Sequence, residues 1–535
     1  MRGTRAGPTT MSRVTWLATW LFGAVVLAYL ALFTVTSLTR LRQFSPDSMN
    51  YVDVGRNIAA GRGIVQPALG FNESHHLFSA PIPAPLTAQP AGYPLLIALL
   101  ARLGMPAPDA ALLLASLSYG VVLLTAYLLG RLMYAESCVG LLAVVALLYF
   151  DPLRYVAAYA WSEAPGIAWM LLSFCCVAGL SHAKRAAAPL ALAAGLLAGS
   201  AFATRYAFLP LLPLTLAALL AVPPLRQGLR QASLYLVGWS VPAAATIGHN
   251  WLVSGTLLGD QRNPSDLGLL DNARAMVDAA LGNSLGPVAS PEAQELVLGG
   301  VVVLCLGILA LRRRLRAAGR ALFVGHRRSL LPLWALVYLA VLVYQRTHTY
   351  FDAIDERLVA PGAVTLVFLV AALVQALGLR LRTALYPALA LAALAVYHQA
   401  QILATTPVVD MAAVVAQSER LTWVSTHTTT ADLIIGDDTM DIPFYLHRTL
   451  VGSFSAYPYN DRPTYPMIMA FVHRQCAHYR RVYLVLRRNY ATEQDWNAAY
   501  GPFIADIVHG ATQRYPPVRA LKVLQDGSVF TLACR

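Results

Sequence analysis

Long apolar runs recur along this chain, and they decide what it can fold into. They lie at about residues 14–38, 110–133, 139–150, 161–180, 187–203, 207–222, 234–253, 296–311, 330–343, 358–379 and 384–404. Roughly 20 apolar residues cross about 30 Å of hydrocarbon as a helix, which satisfies its own backbone N–H and C=O groups where no water can. The pattern predicts an α-helical polytopic membrane protein with about eleven transmembrane helices. Several runs are shorter than about 18 residues, which leaves the count open by one or two. A mean hydropathy of +0.55, with 57% hydrophobic and 13% charged residues, excludes an ordinary soluble protein.

The net charge of +13 would suggest nucleic acid in a soluble chain. Here the basic residues sit in short clusters between apolar runs, where membrane orientation accounts for them, and nucleic acid is set aside. Threading the runs with Arg2, Arg5 and Arg13 in the cytoplasm puts Arg131, Lys184 with Arg185, Arg226 with Arg230, the dense group from Arg312 to Arg328, and Arg380 with Arg382 on that side. The outer connections receive nearly every carboxylate before residue 405, among them Asp47, Asp53, Glu73, Asp151, Asp260, Asp266, Asp271, Asp278, Glu292, Glu295, Asp352, Asp355 and Glu356. The outer face therefore holds the groups that chemistry uses.

Two domains are expected, a transmembrane part over residues 1–404 and a small extracytoplasmic α/β domain over residues 405–535. In the second, the apolar segments shorten to DLIIG, RVYLVLRR and SVFTLAC, which read as strands, while PTYPMIMAFVHRQCAHY reads as helix. Cys476 and Cys534 are its only cysteines, and an oxidising compartment permits a disulfide between them. In the membrane part, Gly195 and Gly199 would let two helix backbones approach closely.

The first outer loop, about residues 39–92, opens with SPDSMNYVDVGRNIAAGRG. Tyr51, Val54 and Ile58 recur at helical spacing, Asn50, Asp53, Arg56 and Asn57 take the other side, and Gly61 can end the helix. This reads as an amphipathic helix along a membrane surface. Asp47 enters it near headgroup depth, still in contact with water. On spacing alone its simpler role is to cap the helix.

Read in order, Asp47 to Gly63, the segment QPAGYPLLIALLARLG from Gln89, Trp161-Ser162-Glu163, Thr204-Arg205-Tyr206, and Glu356-Arg357 followed by Pro361 resemble the GT-C glycosyltransferases. These membrane enzymes include protein O-mannosyltransferases and the aminoarabinose transferase acting on lipid A. The resemblance implies a sugar donor linked to a polyprenyl phosphate, an outward-facing acceptor glycan, lipid or protein, inversion at the anomeric carbon, and a bacterial inner-membrane location. It implies Asp47 as general base and Asp151, in the next outer loop, as a second catalytic acid. The neighbour of Asp47 is Ser48 where the family often has a further acid, and Gln89 stands where the aminoarabinose transferase has a lysine.

Outward-facing arginines suit a carrier phosphate, because guanidinium forks match its oxygens. Arg205, Arg262 and Arg357, with Tyr93, are the donor-phosphate candidates. Arg357 has an alternative pairing with Asp352 or Glu356, Arg262 a solvated loop, and Glu163 a structural pairing with Arg154 or Arg205. Asp53, Arg56 and Glu163 complete the site candidates. His75 and His76 with Glu73 form the one weak hint of a divalent metal, so no cofactor is assigned and a metal stays open. No P-loop, dinucleotide fingerprint or nucleophile elbow is present, which argues against a soluble nucleotide donor. The rival classes are a transporter or flippase for a lipid-linked saccharide, and an inactive scaffold of the same fold. A transporter should show repeated halves with acids near mid-membrane, and none is visible.

Overall fold

The computed structural model describes residues 13–66, 68–69, 83–134, 137–182, 185–259, 264–265, 267–282, 330–349, 351, 353–376, 381–436, 440–451, 465–487, 502–508 and 510–533. Arg262, Glu73, His75, His76, Asp260, Asp266, Asp352 and the run at 296–311 lie outside these. The membrane part comprises α1 (Arg13–Thr36), α2 (Pro46–Ala59), α3 (Gly92–Arg102), α4 (Ala107–Tyr134), α5 (Ser137–Leu148), α6 (Asp151–Ala158), α7 (Glu163–Gly179), α8 (Ala187–Thr204), α9 (Leu211–Leu220), α10 (Leu225–Ser254), α11 (Leu269–Gly282), α12 (Leu330–His348), α13 (Glu356–Ala376) and α14 (Leu381–Thr405). Among the described residues five stretches, Trp16–Leu41, Ala107–Tyr134, Ala187–Thr204, Leu330–His348 and Thr383–Thr405, are long and apolar enough to cross a membrane. A sixth is the pair α5 and α6, bent by 60°. Pro152 in the first turn of α6 lacks the N–H that a straight continuation of α5 would need.

The tightest packing is between α8 and α10. A Cβ on Gly195 would lie 1.9 Å from the Tyr235 carbonyl oxygen, and one on Gly238 would lie 2.2 Å from that of Leu192. The two backbones touch through reciprocal glycines, as close helix pairs in membranes do. At the other side of the bundle, Trp334 Nε1 on α12 donates to the Pro361 carbonyl at 3.0 Å and Tyr338 hydroxyl to that of Leu358 at 3.0 Å, which fixes the first turns of α13. Asp355 caps that helix, its Oδ1 accepting from the Leu358 amide at 3.0 Å.

Beyond α14 the chain forms α15 (Met411–Gln417), α16 (Glu419–His427), α17 (Asp441–Leu446), α18 (Tyr465–Gln475) and α19 (Pro502–Val508) around a sheet. The loop after α1 supplies β2 (Ala68–Leu69) to this sheet, and its β1 (Val65–Gln66) and β3 (Ala84–Pro85) pair with each other. The rest are β4 (Asp432–Gly436), β5 (Leu450–Val451), β6 (Arg481–Leu486), β7 (Val518–Leu524) and β8 (Gly527–Leu532). The sheet order is β2-β5-β4-β6-β8-β7, parallel from β2 to β6 and antiparallel at β8 and β7. Every residue of DLIIG is buried, because helices cover both faces: Ile468, Phe471, Phe503 and Ile504 on one, Leu421, Val424 and Ile442 on the other. Cys476 is disulfide-bonded; Cys534 lies outside the described residues.

β2 belongs to the loop after α1, yet it forms the edge of the C-terminal sheet. The loop after α1 is thus joined to the second domain through this strand pairing. The same contact corrects the reading of α2. Asp47, Ser48, Asn50, Tyr51, Val52, Asp53, Val54, Gly55 and Asn57 are all buried, so α2 is enclosed on most sides. Tyr51 packs edge-on to Tyr93 of α3 with centroids 5.4 Å apart, and α17 closes over the polar side. A helix lying open on the membrane surface would have kept that polar side in water.

Candidate active site

Ser45 begins α2. Its Oγ accepts from the Ser48 amide while Ser48 Oγ accepts from the Ser45 amide at 2.9 Å, with Pro46 at the first helical position. The cap is therefore Ser45, and Asp47 does not perform that task. Standing one position further in, Asp47 projects its carboxylate into the bundle and is only 8% exposed, so the expected contact with water is also corrected.

There it meets Arg357, whose Nη1 lies 2.6 Å from Asp47 Oδ2. The Nε of the same guanidinium lies 3.0 Å from Glu163 Oε1, and Arg205 Nη1 lies 3.1 Å from that oxygen. Among the described residues, two carboxylates and two guanidiniums thus form one buried chain, Asp47–Arg357–Glu163–Arg205, whose charges balance. Gln89 Nε2 donates to the second Asp47 oxygen at 3.2 Å, and Tyr51 and Ser162 hydroxyls are 3.0 Å apart beside Glu163. Burial raises the Asp47 pKa, but Arg357, Arg205 and the hydrogen bonds from Arg357 and Gln89 outweigh it and hold the carboxyl below its ordinary value.

Each member is aimed by local structure. Glu163 is the first residue of α7, favoured there by the helix dipole, and follows a tight turn in which Ala160 adopts a left-handed φ of 53°. Non-glycine residues resist that conformation, and the turn is held by packing around the fully buried Ala160. It also presents Trp161, whose ring lies 4.9 Å below the Arg357 guanidinium and whose Nε1 donates to Ser45 Oγ. Tyr159 stacks on Trp161 with centroids 5.0 Å apart. Arg205 leaves α8 in extended backbone before the short turn Tyr206–Phe208.

No family model and no curated protein matches this sequence. Solved structures do. ArnT from Cupriavidus metallidurans in the apo state superposes with a TM-score of 0.61 at 16% identity, covering 98% of this chain and 99% of that one. The same protein bound to undecaprenyl phosphate gives 0.59 at 14%, covering 97% and 98%. Arabinofuranosyltransferase AftD from Mycobacteria gives 0.52 at 14%, where 98% of this chain matches 40% of a longer one. The fold is that of the GT-C membrane glycosyltransferases.

Within this GT-C fold the structure brings together Asp47, Glu163, Arg205 and Arg357, four of the residues singled out from the sequence. It pairs Arg357 with Asp47 and Glu163; of the alternative partners weighed for Arg357, Asp352 lies outside the described residues. Asp151 is elsewhere: it opens α6, is 44% exposed, and pairs with Arg154 at 2.9 Å. Tyr93 is fully buried behind Tyr51, its hydroxyl donating to the Ala111 carbonyl at 2.8 Å, so it supports the wall and does not reach the cluster. Asp53 and Arg56 form a joint with the second domain. Arg56 Nη1 lies 2.6 Å from Asp53 Oδ1 and 2.8 Å from the Phe444 carbonyl oxygen, with His447 Nδ1 at 3.4 Å. Sequence reading missed Ser162, Trp161 and Gln89 as members of the site, although the first two flank Glu163 in a motif already noted. Among the described residues no three His, Cys, Asp or Glu side chains are grouped to hold a metal ion.

Proposed function

We propose that this protein is a glycosyltransferase that moves a sugar from a polyprenyl-phosphate donor to an outward-facing hydroxyl of a cell-envelope glycan, lipid or protein. The observation that carries the reading is the buried cluster itself. A base and two guanidiniums converge in a GT-C fold where the chain passes from the membrane part into the first outer loop. The multi-pass fold agrees with a bacterial inner-membrane location with the cluster and the second domain facing outward.

In this mechanism the acceptor oxygen attacks the anomeric carbon as its proton passes to Asp47. The bond from the anomeric carbon to the phosphate oxygen breaks, its electron pair stays on the leaving carrier phosphate, and configuration inverts. Arg205 and Arg357 stabilise the charge that develops on that phosphate, in a site from which water is largely excluded. A cavity of about 340 Å³ is walled by Gly92, Leu95, Trp169, Ala203, Thr204 and Pro242, its Thr204 being the residue before Arg205. Its apolar lining suits the first isoprene units of the carrier.

The test is a glycolipid and glycoprotein profile of a strain lacking this gene, complemented with wild type or with Asp47→Asn. The expected result is one missing sugar that returns with wild type only. Turnover by the variant should fall about a hundredfold to ten-thousandfold, the usual range for positioned proton transfer. A profile unchanged by the deletion, or restored by a well-expressed Asp47→Asn protein, refutes the assignment.

A further inference from the structure

Among the described residues the charges of the cluster balance before any substrate arrives. Both guanidiniums already face carboxylates, Arg357 at 2.6 Å from Asp47 and 3.0 Å from Glu163, Arg205 at 3.1 Å from Glu163. A carrier phosphate entering here adds further negative charge, and on Arg357 it competes with Asp47 for the Nη1 edge. The two acids are not held alike. Glu163 is 1% exposed and engages Arg357 through Nε, while Asp47 is 10% exposed and engages it through Nη1. Nε and the Nη groups lie at different edges of a rigid planar fork, so one edge can change partner while the other stays bound. Trp161 beneath the guanidinium keeps its plane in place during such an exchange.

We propose that donor phosphate displaces Asp47 from Nη1 of Arg357 while Glu163 retains Nε, so that Asp47 becomes a free base only once the donor is seated. This rests on the glycosyltransferase reading and gives Glu163 a distinct task, that of the fixed anchor for both arginines. Before displacement Asp47 is a poor proton acceptor, because Arg357 stabilises its charged form. After displacement it keeps only the Gln89 hydrogen bond and has an anion for a neighbour, and both changes raise its affinity for a proton. Donor binding and activation of the base are then a single event.

A consequence follows that an independent base would not share: removing the Asp47 charge should strengthen carrier binding. The measurement is undecaprenyl phosphate binding to the full-length protein in nanodiscs at pH 7, for wild type, Asp47→Asn, Arg357→Ala and the double variant. Asp47→Asn should tighten binding by about tenfold to a hundredfold, the equilibrium equivalent of one charge-assisted hydrogen bond. Arg357→Ala should weaken it, and in that background Asp47→Asn should tighten binding much less than it does with Arg357 present, since only the direct repulsion between carboxylate and phosphate is then relieved. If Asp47→Asn fails to fold, Asp47→Ser removes the same charge and serves in its place. Binding by wild type that is unaltered or weakened by loss of the Asp47 charge overturns the exchange while leaving the glycosyltransferase reading intact. Absence of wild-type binding overturns both.

Discussion

Replacing Asp53 with asparagine should abolish a pH dependence carried by the joint between α2 and α17. Asp53 is 4% exposed, with one oxygen on Arg56 and the other buried without a partner. Burial raises its pKa, Arg56 offsets only part of the rise, and the result is about 7 against an ordinary 3.8. When the joint opens and the carboxyl meets water, its pKa returns toward the ordinary value. The closed state therefore holds a proton that the open state lacks throughout the window from about pH 4 to 7. Closure is most favoured at the acid end, weakens as pH rises through that window, and levels off above about pH 7. At 1.36 kcal/mol per unit over roughly three units the change is about 4 kcal/mol, or close to a thousandfold in the opening equilibrium.

His447 works in the opposite direction. Burial, then Arg56, Arg448 and Arg62, lower its pKa below 6.5, so the open state takes up the proton there and closure strengthens as pH rises toward 6.5. The comparison is therefore made in a His447→Asn background, since asparagine tolerates the left-handed φ of 54° at that position. Hydrogen-exchange protection of α2 and α17, corrected for intrinsic rates, should fall up to tenfold per pH unit with Asp53 present and stay flat in the Asp53→Asn protein. Equal slopes for the two proteins would refute the assignment of a protonated, buried Asp53.

Gly195→Leu should fail to fold or lose most of its folded yield on size-exclusion chromatography. The new side chain would start 1.9 Å from a backbone carbonyl of α10 that cannot move alone, and a wild-type profile would show that α8 and α10 do not pack this closely. Arg205→Ala should weaken undecaprenyl phosphate binding by about tenfold or more, the scale of one charged hydrogen bond. Unchanged affinity would remove Arg205 from the phosphate site.

Much of the architecture was legible because burial leaves a pattern. The long apolar runs suit hydrocarbon, DLIIG is covered on both faces and the glycines at 195 and 199 face another backbone, and their composition records it. β7 was not legible: VRALKVL is an edge strand exposed along its middle, with no alternation to betray it. β2 was missed for another reason, since two residues of a distant loop complete a sheet whose other strands begin at residue 432. The capping role offered for Asp47 on spacing alone could have been set aside, because the cue was present. In Ser45-Pro46-Asp47-Ser48, proline favours the first helical position, which makes Ser45 the cap and leaves the Asp47 side chain unemployed by the helix. A carboxylate with no local task, in a chain that must bury most of its surface, needs a partner from elsewhere.

That partner and the Asp53 joint are linked through one short helix. Six residues separate Asp47 from Asp53, which is about 9 Å along the axis and about 120° around it. The first end of α2 is tied to the bundle through Arg357, and its middle is tied to the second domain through Arg56 and the Phe444 carbonyl. Arg102 secures the far end by donating to the Ile58 carbonyl at 3.0 Å, and β2, just beyond, enters the domain's sheet. A helix held at these points ties the placement of Asp47 to the seat of the second domain, although none of that domain's described residues belongs to the cluster.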